Sequence, residues 1–247
     1  LRYFLEISYK GTRYHGWQIQ PNAITVQEVL NKALSTLLGE PVDTLGSGRT
    51  DTGVHAYVQV VHLDTEKEIK DSFLVSINAI LPKDIAVHWI RAVHKDAHAR
   101  FDALQRSYVY KIALQKNPFD QELVWFYRGQ PNVYLMNQAA ALLLRHTDFE
   151  CFSKVHTEVN NFNCTITRAY WEQNGTRLHF HITANRFLRG MVRAIVGTLL
   201  EVGKGKCSIE DFEKILLSKD RNKAGMAAPP EGLYLCEVSY PETIFKS

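Results

Sequence analysis

The residues with the clearest chemical potential lie in one short stretch, LGSGRTDTGVHA at 45–56. It sets a cation, a hydroxyl and a carboxylate side by side: Arg49, Thr50 and Asp51. A neighbouring guanidinium favours the charged form of a carboxylate. An ionised aspartate on a loop is a candidate nucleophile or base. The same residues also fit an ordinary Asx turn at Asp51-Thr52-Gly53. Three glycines, Gly46, Gly48 and Gly53, are expected to supply φ > 0 turns around it.

Other groups are weaker candidates. The loop KGTRYHGWQIQPNAI (10–24) interleaves Lys10, Arg13 and His15 with Tyr14 and Trp17. That suits stacking on bases and contact with phosphate, and equally a surface loop with Trp17 folded inward. Arg186, Arg189 and Arg193 fall at i, i+3 and i+7, a one-sign stripe suited to phosphate or to an active-site carboxylate. Lys204 and Lys206 add candidate phosphate contacts. His179-x-His181 would share a strand face, and His94 and His98 a helical one. No Cys or carboxylate stands at ligand spacing beside either pair, so no metal site is expected. A phosphate loop at 197–204 is rejected on its spacing, and no G-x-S-x-G elbow is present.

Positioning these groups requires rigid flanks. Apolar, β-branched segments at 42–45 and 54–63 predict strand, tight loop, strand around Asp51. Alternation over 1–9 predicts a first strand. The capping box Thr25-x-x-Glu28 opens a helix over 26–38, closed by Gly39. A helix over 72–80 and a strand over 84–93 complete β-α-β-β-α-β in the first hundred residues. That is the order of a split βαβ, or ferredoxin-like, unit. The second half repeats the order: strands at 107–114 and 123–127, a helix at 135–145, a hairpin over 163–184, a long helix at 186–202, another from Ser208, and a closing strand at 233–240. The polar run 94–100 is the expected crossover. The fold expected is α+β, two ferredoxin-like domains at 1–97 and 98–247, with antiparallel sheets flanking a central RNA-binding cleft.

Composition is that of an ordinary globular chain, 247 residues with 45% hydrophobic and 22% charged. A net charge of +3 permits an acidic partner without demanding one. Four scattered cysteines form no CxxC and suggest a reducing compartment. The first strand does not resemble a signal peptide, and no run reaches membrane-spanning length. A cytoplasmic protein without membrane attachment is expected.

The motifs together resemble the TruA family of tRNA pseudouridine synthases. Gly48 to Ala56, GRTDTGVHA, resembles the family's catalytic motif. Gly16-Trp17-Gln18, Ile80-Leu81-Pro82, His98-Ala99-Arg100-Phe101, Arg106-Ser107-Tyr108-Val109-Tyr110, Met191-Val192-Arg193 and Glu231-Gly232-Leu233-Tyr234-Leu235 follow in the family's order. Lys10 departs from it, standing where the family commonly has Asp. The resemblance implies isomerisation of uridine at positions 38, 39 and 40 of tRNA, in the anticodon stem-loop, by a homodimer without cofactor or metal. It makes Asp51 catalytic and Tyr108 the residue that stacks on the target base. Arg193 then pairs with the aspartate, Leu233 packs under the base, and Arg49 positions the loop and the flipped nucleotide. Two other classes share parts of this description. A catalytically silent tRNA-binding protein of the same fold would release no C5 hydrogen. A glycosidic hydrolase would need a second carboxylate near Asp51, and no motif supplies one.

Overall fold

The computed structural model describes residues 1–154 and 161–246. The chain divides into two compact units, Leu1–Gln105 with Tyr234–Ser247, and Arg106–Leu233.

In the first unit the strands are β1 (Arg2–Tyr9), β2 (Leu45–Gly46), β3 (His55–Asp64), β4 (Ile85–Val93) and most of β9 (Leu233–Ser239), and the helices are α1 (Val26–Leu38) and α2 (Ser72–Ile80). β1 lies between β3 and β4 and pairs antiparallel with both. β2 adds two antiparallel pairs to β3, and β9 runs parallel to β3 at His55↔Tyr234 and Ala56↔Leu235. This last pairing draws the closing segment of the chain into the first unit. The helix termini follow local chemistry. The Thr25 side chain accepts from Glu28 N at 3.3 Å, and Gly39 takes the left-handed conformation (φ 64°) that ends α1. Phe4, Leu5, Ile7, Leu30, Leu34 and Leu63 form the centre of the core.

The segment expected as a crossover, 94–100, packs within this unit. Ala97 and Ala99 are buried, Ala99 N donates to His62 Nδ1 at 3.1 Å, and the Tyr240 hydroxyl donates to Ala99 O. His94 and His98 share no helix.

In the second unit the elements are β5 (Gln105–Ala113), β6 (Trp125–Phe126), α3 (Val133–Leu142), β7 (Ile166–Asn174), β8 (Arg177–Ala184), α4 (Met191–Gly203) and α5 (Ile209–Ser218). β8 pairs antiparallel with β5 and with β7, and β6 lies parallel to β5. Gly175, at φ 57°, takes the positive φ that the two-residue turn between β7 and β8 requires. Ser208 caps α5 by accepting from Asp211 N at 3.1 Å. Each unit is thus mixed α/β on a mostly antiparallel sheet.

The long helix begins later than its periodicity suggests. Gly190 stands at its start with φ 72°, and helix runs only from Met191. Arg186 and Arg189 precede it, so the expected arginine stripe does not exist as a helix face. α4 is buried almost all round, with Arg193 and Glu201 its only residues outside the core.

Candidate active site

Asp51 sits on a tight turn. Val54 N donates to Asp51 O at 3.1 Å, and Gly53 supplies the positive φ (78°) at the third turn position. Gly46 and Gly48 do not serve this purpose. Gly46 makes room: a Cβ there would stand 2.7 Å from the Trp17 indole nitrogen. Gly48 lies in open space with no positive φ.

The turn is fastened from three sides. From below, Gln59 is fully buried in β3. Its Nε2 donates to Gly48 O at 2.9 Å, and its Oε1 accepts from Ser47 Oγ. From β1, the Tyr9 hydroxyl meets Thr50 Oγ1 at 2.9 Å, both residues being buried. From the first loop, Trp17 N donates to Thr50 O at 3.2 Å and Gly53 N to Tyr14 O at 3.3 Å. Gly16 lets this loop approach, since a Cβ there would lie 2.4 Å from Thr50 O. Arg49 is exposed, and its Nε donates to Gln18 Oε1 at 3.1 Å. Asp51 itself is half-buried. His55, at the base of the turn, is buried, accepts from Gly11 N at Nδ1 (2.9 Å) and stacks on Tyr234 at 4.6 Å.

The first loop takes the inward-folded of its two readings. Trp17 is 1% exposed and stacks near Tyr9, while Tyr14 is buried with its hydroxyl donating to Asp84 at 2.7 Å. Neither ring is available to a base. Burial of so much ring area in the core outweighs the polar character of the surrounding sequence. Of the loop's cations, Arg13 stays exposed beside Asp84 at 3.6 Å.

In the second unit, Tyr108 projects from β5 half-buried, its ring edge-to-face with Phe187 at 5.1 Å and 90°. Tyr110, two residues on, is fully buried and donates to Pro229 O at 2.6 Å. Burial, and then the nearby Glu231 carboxylate, push its phenol well above the usual range, with Arg193 acting against them. Arg193 stands on the first turn of α4 and its Nε donates to Ala228 O at 2.6 Å, while Ala228 N donates back to Arg193 O at 2.9 Å. The 225–229 segment lies so close to α4 that a Cβ on Gly197 would be 1.8 Å from Met226 O. Leu233, at the start of β9, is 6% exposed. Gly232 beside it tolerates no side chain against Tyr110 and Lys111 O.

Two fastenings went unread in the sequence. Gln59 had a signal, being a lone amide inside the apolar run of β3. Tyr9 had none, because its contact with Thr50 depends on the path of the chain.

The GRTDTG turn and Arg193 each fall inside a segment that matches one family model, and Tyr108 lies between the two segments. That model is described as tRNA pseudouridine synthase and covers residues 7–102 and 139–241. The chain belongs to this family. Its relatives include proteins named tRNA pseudouridine synthase A from Parabacteroides distasonis (48% identical, covering 99% of this chain and 98% of the relative), from Bacteroides thetaiotaomicron (49%, 99% and 92%) and from Colwellia psychrerythraea (42%, 98% and 95%). As a pseudouridine synthase the chain is an isomerase acting on uridine in tRNA. No helix among the described residues is long and apolar enough to cross a membrane.

Proposed function

We propose that the chain converts uridine to pseudouridine at positions 38, 39 and 40 of tRNA, in the anticodon stem-loop, with Asp51 as the catalytic carboxylate. The observation that carries the reading is the Asp51 turn, a carboxylate held half-buried on a backbone buttressed by Gln59, Tyr9 and the first loop. A preorganised anion of this kind suits a reaction at a sugar carbon. In the reaction the N1–C1′ bond breaks, the base turns, and C5 bonds to C1′. The C5 proton leaves and N1 gains one, so no redox partner is consumed. Asp51 acts as an anion whether it attacks C1′ or removes the 2′ proton.

The target base must leave its stack, at a cost of a few kcal/mol. Stacking on Tyr108 returns about 1–3 kcal/mol. Arg193 is assigned to pair with Asp51, Leu233 to pack under the base, and Arg49 to hold the loop and the flipped nucleotide. These assignments rest on the family motifs these residues occupy. The same resemblance supports two ferredoxin-like domains flanking an RNA-binding cleft, a homodimer in the cytoplasm, and chemistry without a cofactor.

Two measurements test the reading. Base-resolved mapping should find pseudouridine missing at positions 38–40 in tRNA from cells lacking the protein, and unchanged maps would refute the site assignment. Asp51→Asn is nearly isosteric and should bind tRNA while release of hydrogen from C5 falls by about 10³-fold or more, to background. A variant that still turns over, free of wild-type contamination, would end the role of Asp51.

A further inference from the structure

We propose that Glu172, His179 and His181, on the β7–β8 hairpin, form a binding site for a divalent transition-metal ion of the zinc class. Register brings them together. His179 lies directly opposite Glu172 across the β7–β8 pair, and His181 follows two residues along β8, on the same sheet face. One ligand atom from each lies within 4.8 Å of the other two. A tight turn at Gly175 ties the strands together, so the three side chains sit on a rigid frame.

The donor set selects the class of ion. Two imidazole nitrogens and one carboxylate oxygen suit zinc and its neighbours, whereas calcium and magnesium take oxygen ligands. A water would complete a tetrahedral shell. His181 Nε2 is buried without a hydrogen bond and lies 3.5 Å from Glu172 Oε2, inside the cluster. The Tyr170 ring stacks on His181 at 4.9 Å and 14°, and Arg168 lies 5.0 Å over Tyr170, which fixes the imidazole plane. Such outer supports orient metal-binding histidines.

Electrostatics agree in part. Neutral imidazole nitrogens are the donors such an ion takes. Lys111, opposite His179 on β5, and Arg168 oppose a cation, while Glu172 favours it. The site should therefore be of moderate affinity and should select against weakly bound ions.

The test is titration of the full chain, stripped with chelator, with zinc chloride by calorimetry in competition with a zinc indicator. One zinc ion per chain is expected. In His179→Gln/His181→Gln the affinity should fall by at least about tenfold, since loss of an outer-shell partner alone costs about 10–100-fold. No binding by the wild type, or equal affinity in the double variant, overturns the site. Cobalt(II) absorption by the wild-type chain needs no variant. Intense tetrahedral bands with one equivalent are expected, and a spectrum matching free aqueous cobalt overturns the site even if the double variant fails to fold.

Discussion

The Asp51 turn and the Arg193 region are held by different means. The turn hangs on polar contacts from side chains outside it, Gln59 on Gly48 O and Tyr9 on Thr50, and His55 at its base accepts from the first loop at Gly11 N. Arg193 is held to the Ala228 backbone by its side-chain Nε and its own carbonyl, and by the near-contact of 225–229 with α4 that Gly197 and Gly225 permit. One arrangement aims a carboxylate through directional bonds. The other ties a cation to one adjoining backbone residue within close packing that leaves little room to move. The first should be sensitive to lost hydrogen bonds and to pH, and the second to added volume.

The largest effect should come from Gly197→Ala. Helix propensity alone favours alanine over glycine by about 1 kcal/mol. Packing argues the reverse, because the new Cβ would lie 1.8 Å from Met226 O, a backbone atom. Overpacking of this kind typically costs about 1–3 kcal/mol, and a fixed backbone neighbour puts the cost at or above the upper end. Denaturant unfolding should report net destabilisation of about 2–3 kcal/mol. A stabilised variant would show that 225–229 yields easily and would remove the contrast.

Acid should next separate β3, the strand that follows the Asp51 turn, from α4. His62 is buried, its Nδ1 accepts from Ala99 N, and burial followed by the His98 imidazole lowers its pKa from 6.5 to about 4. The unfolded chain takes up this proton near its ordinary value and the folded chain does not. Stability is therefore present above about pH 6.5 and is lost as pH falls toward 4, a loss on the order of 2 kcal/mol with allowance for partial solvent access. Hydrogen exchange between these pH values should loosen 97–103 and β3 well before α4. His62→Phe should flatten that response. Equal loosening of both regions would remove the distinction.

These differences also explain what the sequence allowed to be read. Helix ends were legible where the signal is local: Thr25 and Gly39 around α1, Ser208 before α5, and α2 at Ser72–Ile80 as expected. The Asp51 loop was legible as a motif, together with the β3 strand that follows it. The reading failed where a residue's environment is set from afar. Arg186 and Arg189 have helical spacing, but Gly190 in the left-handed region starts the helix after them. Trp17 fitted a stacking platform and an inward-folded ring equally well, and only the path of the chain, which folds it onto Tyr9, decides between them. Glu172 is seven residues from His179 and became its neighbour only through strand register.

The smallest expected effects fall on the fastenings of the turn, and they test whether those fastenings hold Asp51 in place or merely stabilise the fold. Gln59→Leu keeps volume but leaves Gly48 O and Ser47 Oγ without the amide they meet in the core. Such losses cost about 1–2 kcal/mol. Tyr9→Phe removes only the hydroxyl that meets Thr50, at about 0.5–1.5 kcal/mol. If the network holds the turn in its working geometry, Gln59→Leu should lower single-turnover C5 hydrogen release by about tenfold or more under conditions where the protein stays folded, with tRNA affinity nearly unchanged. Tyr9→Phe should follow in the same direction with a smaller drop. A purely structural role would lower stability in both variants and leave the rate of the folded fraction untouched. That outcome would leave the Asp51 turn competent without its buttress and would reverse the first half of the comparison.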